Sequence, residues 1–167
     1  AYVTLPLYVQ RIAVDAAVRA GQESKALRYT QRVLELNAID IDFAERLLPK
    51  AREAGMTKLA DQALDQIIDR GLVHLQTFPL DATVSNNLAW AAAMNQRRLD
   101  EALELSERAV YLEPDSAIYR DTLAEVLFLL GRVREALQIE QWCVLDDPDQ
   151  WHLHEQIKKY RELLTEP

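Results

Sequence analysis

Carboxylates, two closely spaced histidines and one thiol are the groups in this chain able to do chemistry, and their spacing decides what each can do. His152 and His154 lie two residues apart. On a helix that turns them about 200° from each other, away from a shared metal ion. His74 is distant from both in sequence. Asp146-Asp147-Pro148-Asp149 lacks the glycine and ligand pattern of a calcium loop and reads as cap and turn chemistry. Asp42 with Glu45, and Asp121 with Glu125, are carboxylate pairs at helical spacing, the type that shares acid–base work. With 28 % charged residues, however, such pairs arise on any helical surface. No Gly-rich phosphate loop, G-x-S-x-G or H-E-x-x-H occurs. Cys143 is the only cysteine, so no intrachain disulfide exists, and a small buried thiol is the expectation. The residues predict no enzyme, no metal site and no cofactor.

Something other than chemistry must therefore organise the chain. Its 167 residues suit one domain, 1–167, and 49 % apolar content with four Gly and six Pro is that of an ordered helical protein. No apolar run is long enough to span a bilayer, which predicts no membrane insertion. A net charge of −8 argues against nucleic acid as partner, because phosphate binding wants clustered Lys and Arg. Without an initiator Met or a signal-peptide pattern at Ala1-Tyr2-Val3, the chain reads as an excerpt of a longer one or a processed product. Its compartment is left open.

The elements come from a repeat. Leu88-Ala89, Ala102, Ala109 and Pro114 are echoed by Leu123-Ala124, Ala136, Cys143 and Pro148, with Ala102 and Ala136 34 positions apart. Gly21 before Ala26 and Gly55 before Ala60 repeat Gly131 before Ala136, again 34 apart. Between Ala60 and Ala102 the step is 42, which places about eight extra residues, roughly two helical turns, at the end of the second repeat. Gly71 inside that run is expected to kink or end it. One further residue is inserted in the turn Asn95-Gln96-Arg97-Arg98.

Punctuation then gives the helices. Thr4 is the expected cap of a first helix reaching Ala20, with Gly21 closing it and a partner from Glu23 to Asn37. Asp40 caps the next, which runs to Ala54 with a bend at Pro49. Thr57 caps its partner, ending near Thr77. Asp81 or Thr83 begins a fifth helix, about Thr83 to Asn95, followed by Leu99 to Leu112. Asp115 caps Ser116 to Leu130, followed by Val133 to Leu145. A final helix from Pro148 to about Leu164 carries Trp151, Ile157, Tyr160 and Leu164 near one stripe, as a terminal cap requires.

Asn86-Asn87-Leu88-Ala89-Trp90 with Asp100-Glu101-Ala102-Leu103, and Asp121-Thr122-Leu123-Ala124 with Arg134-Glu135-Ala136-Leu137, resemble the helix openings of bacterial-type tetratricopeptide repeat (TPR) proteins. The resemblance implies an all-α, right-handed α-solenoid of about four TPR-like helix–turn–helix repeats, approximately 5–38, 40–78, 81–114 and 115–148, plus a capping helix over 149–165. The first two repeats depart most from the pattern, with Ala38 and Leu72 where the family has its closing proline; in all four, Gln10, Ala44, Ser85 and Arg120 stand where it often has tryptophan.

In TPR proteins the first helices line a concave groove that holds the ligand. By position these are Tyr8, Arg11, Asp15, Arg19, Asp42, Glu45, Pro49, Arg52 and Glu53, then Asn86, Trp90, Ala93, Met94, Ile118, Asp121, Glu125, Phe128 and Leu129. The expected partner-binding residues are Asn86, Asn87, Trp90, Met94, Asp121, Glu125, Phe128, Arg11 and Arg52. Trp90, Met94 and Phe128 form the best patch unless the C-terminal helix or a neighbouring repeat covers them. Ile118, Asp121 and Thr122 replace the basic residues of a chaperone-carboxylate clamp, which excludes that ligand. The expected function is a scaffold for a protein or peptide partner. Two other readings stand beside it: a structural module docking on its own longer chain or forming a homodimer through its solenoid ends, and the regulatory domain of a larger enzyme.

Overall fold

A computed structural model describes residues 4–146 and 148–165, apart from the side chains of Thr4 and Thr165. Among them are ten helices: α1 (Thr4–Arg19), α2 (Glu23–Leu36), α3 (Ile41–Arg46), α4 (Leu48–Glu53), α5 (Thr57–Thr77), α6 (Ala82–Met94), α7 (Leu99–Leu112), α8 (Ala117–Leu129), α9 (Val133–Asp146) and α10 (Trp151–Thr165). No strand occurs among the described residues. The chain divides into two compact units, Ala1–Thr77 and Phe78–Pro167.

In the first unit α1 packs on α2, and α3–α4 pack on α5. Pro49 breaks its helix in two at Leu47, the bend its missing N–H predicts. Helix α5 has 21 residues against 14 in α2, so the extra turns lie where the repeat spacing puts them. Gly71 does not end α5. It is buried in mid-helix, near buried Ile67, Ile68 and Leu75, and packing on this scale outweighs a propensity cost of about 1 kcal/mol.

The second unit pairs α6 with α7 and α8 with α9, and α10 packs on α9. Ala89, Ala102, Ala109, Ala124 and Ala136 are all fully buried, which lets the helices approach closely, and Leu88 fills the space between them. Cys143 occupies the matching small-residue slot. It is fully buried, and burial, then the neighbouring Glu140, pushes its thiol up to about 12.

The turns follow one rule. Gly21, Gly55 and Gly131 have φ of 66°, 83° and 77°, and each starts a pair of backbone bonds that closes the helix before it. In the third repeat the same pair is made by Gln96 to Ala93 and Arg97 to Ala92, with Gln96 at φ 49°. Gln96 thus holds the glycine slot, and the inserted residue brings Arg98 to φ 54° as well.

Several caps differ from expectation. Asp40 and Asp81 do cap, accepting from Phe43 and Val84. Ser116 rather than Asp115 precedes α8, because the turn after Pro114 needs one more residue to bond Ser116 N–H to Glu113. Thr57 lies inside α5 rather than before it. Helix α10 begins at Trp151, three residues later than Pro148 suggests. Its buried stripe is Leu153, Ile157 and Tyr160, while Trp151 and Leu164 are exposed. The side chain of Thr4, and Tyr2, Val3 and Asp147, lie outside the described residues.

Candidate partner-binding surfaces

In the first unit, residues four and seven apart on α1 bring Tyr8, Ile12 and Asp15, with Arg11, onto one side. Asp42 and Arg46 of α3 face them, with Leu47 and Lys50 beyond. Together they line an open cleft of about 360 Å³. Tyr8 and Ile12 remain 61 % and 51 % exposed there, while Leu47 is nearly buried beneath. Of the expected groove residues, Tyr8, Arg11, Asp15 and Asp42 converge at this cleft. Arg52 does not line it: its guanidinium is bound to Asp61 of α5 at 2.6 Å.

The cleft's charges are arranged as a chain. Arg11 donates through Nε to the buried Asp40 at 2.9 Å and pairs with Asp42 as well. Arg46 reaches the same Asp42 at 3.0 Å, and Lys50 reaches Asp15 at 3.6 Å. Asp40 thereby joins two tasks, capping α3 and orienting Arg11. Exposed pairs of this kind are worth only about 0–1 kcal/mol each, so an incoming charged group can exchange with them at small cost.

In the second unit α6 packs beside α8 as well as on α7. Asn86 is buried, and its Oδ1 has no hydrogen-bond partner among the described residues. Asn87, Trp90 and Met94 are half-buried. On α8, Ile118 is exposed, whereas Asp121, Glu125 and Phe128 are half-buried. Phe128 is engaged by α10: it stacks on Tyr160 with ring centroids 4.8 Å apart, and Lys159 Nζ lies 3.8 Å from its ring centre. Tyr160 also donates to Glu125 at 3.1 Å. Of the aromatic patch expected from sequence, Phe128 lies against the cap helix, while Trp90 and Met94 are half-buried on α6.

Beneath α10 lies a group that the sequence reading passed over, Glu140 of α9. It is fully buried, and burial, then Asp121 and Glu125, raises its carboxyl to about 8. Burial likewise raises Asp121, opposed by His152 and Gln156. The sequence signal was available: Glu140 lies four residues after Ala136 and three before Cys143, both core positions. Among the described residues no group of three His, Cys, Asp or Glu is arranged to hold a metal ion. His154 Nε2 meets the Pro148 carbonyl at 2.8 Å. No helix is long and apolar enough to cross a membrane among the described residues.

No protein-family model matches the chain, and no curated protein does. Among solved structures the fold is similar to MamA, a TPR-like helical-repeat protein. A double mutant of MamA RS-1 is 16 % identical, with 96 % of this chain and 86 % of that one covered and a TM-score of 0.53. MamA MSR-1 is 20 % identical over 95 % of this chain and 86 % of its own, at 0.51. MamA AMB-1 is 21 % identical over 96 % and 89 %, at 0.50. Identity at this level speaks for the fold alone: all-α, in TPR-like helical repeats.

Proposed function

We propose that this chain is a TPR protein, of the bacterial type, serving as a protein-interaction scaffold that holds a polypeptide segment along its first helices and does no chemistry of its own. The observation that carries this reading is the open cleft between α1 and α3–α4, where four residues assigned to a groove by repeat position come together. Exposed Tyr8 and Ile12 supply apolar anchors, and the weak ion pairs supply exchangeable polar contacts. In the second unit Asn87, Trp90, Met94, Asp121 and Glu125 are assigned the same role on α6 and α8. Phe128 is assigned a supporting one, since a partner reaches it only past Lys159. Arg52 contributes through its hold on Asp61.

A pull-down compares the chain with Tyr8→Ala/Ile12→Ala and Trp90→Ala/Met94→Ala variants. Loss of one protein with either variant supports the groove; equal capture by all three refutes it. One observation favours a second reading. Leu5, Tyr8, Val9 and Ile12 leave α1 with an exposed apolar face, as expected of a first repeat that docks on another part of a longer chain or on a second copy. Mass measured by light scattering against concentration, with and without Leu5→Ser/Val9→Ser, separates self-association from partner binding.

A further inference from the structure

The contact of α10 with the rest of the second unit carries carboxyl groups beside its buried apolar residues Leu153, Ile157 and Tyr160. Three carboxyl groups face it: Glu140 from α9 and Asp121 and Glu125 from α8. The hydrogen bonds that reach them from α10 come from neutral groups. With its amide turned so that nitrogen faces the carboxyls, Gln156 donates to Glu140 Oε1 at 2.8 Å and to Asp121 Oδ1 at 3.1 Å. Tyr160, fully buried, donates to Glu125. Glu140 Oε2 is buried with no hydrogen-bond partner among the described residues. The other ionisable neighbours do not neutralise the group: His152 faces Asp121, Cys143 lies one turn along α9, and Arg120 is held by Asp146. Lys159 is placed over the Phe128 ring.

An ionised carboxylate sealed this way loses its hydration and meets two like charges. We propose that the docking of α10 is a proton-operated clasp, closed while Glu140 carries a proton and loosened once Glu140, Asp121 and Glu125 are all ionised. Loosening uncovers Leu123, Leu127 and Phe128, against which Tyr160 packs. The sign follows from linkage. In the closed form burial, then Asp121 and Glu125, holds the Glu140 carboxyl at about 8, above the ordinary 4.5, and the share of that rise that comes from burial under α10 makes the docked form hold the proton more tightly. Its contribution is fully present below the undocked value and is lost as pH rises through the docked one. The raised Asp121 works in the same direction.

Hydrogen exchange of the full chain between pH 6 and pH 9, corrected for intrinsic rates, tests this. The opening constant of α10 amides should rise at least about tenfold over that range, while α6 and α7 amides stay level. In Glu140→Gln the α10 profile should be flat. Asp121→Asn removes one of the charges that raise Glu140 and should shrink the rise, which keeps the test usable if Glu140→Gln folds poorly. A level α10 profile in the unaltered chain, or an Asp121→Asn profile identical to it, would overturn the clasp.

Discussion

The first-helix junction in the first unit and the last one in the second are built from the same repeat and end in opposite states. Between α1 and α3–α4 the junction is an open cleft with an exposed tyrosine, Tyr8, at its edge. Between α8 and α10 a tyrosine of the chain itself, Tyr160, occupies the junction, stacked on Phe128 and bonded to Glu125. At the cleft the outer pairs to Asp42 are solvent-exposed and only Asp40 is buried; under α10 Glu140 is fully buried, Asp121 and Glu125 are half-buried, and all three meet neutral donors. At the C-terminal end the chain's own α10 covers the aromatic Phe128, whereas at the cleft Arg11, Arg46 and Lys50 pair the carboxylates and Tyr8 is left exposed.

That contrast breaks most visibly at the two tyrosines. Tyr160→Ala should cost about 3–4 kcal/mol by urea unfolding, the cost of emptying a packed aromatic site. Asp40→Ala should cost about 2 kcal/mol, since it removes a helix cap and leaves Arg11 short of its buried partner. Asp42→Ala, with its half-exposed pairs, should change stability by less than about 1 kcal/mol in the same assay. Gly131→Ala should lower thermal stability by about 1 kcal/mol because of its left-handed backbone, and Gln96→Gly should raise it by about 0.5–1 kcal/mol for the same reason. Tyr8→Ala should leave unfolding within about 0.5 kcal/mol of the unaltered chain, which separates an exposed tyrosine from a packed one.

The repeat architecture was legible because its signals are backbone signals. Gly21, Gly55 and Gly131 mark left-handed turns, Pro49 marks a break, and the buried alanines mark close helix approach. Gly71 does not end its helix because a single glycine reports local propensity, while seven other buried residues along α5 decide the helix. The cap helix's stripe was legible at Ile157 and Tyr160, which are buried; Leu153, four residues before Ile157, completes it, while Trp151 at the first residue and Leu164 near the end are exposed. Of the candidate groove residues, Tyr8, Arg11, Asp15 and Asp42, carried over by repeat position, line one cleft. The cover over Phe128 and the burial of Glu140 did not follow from position, because both depend on how α10 lies across α8 and α9, a long-range contact with no local mark.

The most direct measurement is selection of a binding peptide from a random library on the immobilised chain, followed by its affinity for the unaltered chain, Tyr8→Ala/Ile12→Ala and Trp90→Ala/Met94→Ala. The scaffold reading predicts at least about tenfold weaker binding in one or both variants, equivalent to about 1.4 kcal/mol, with unfolding curves unchanged for the first. Selected peptides that bind all three equally would contradict it.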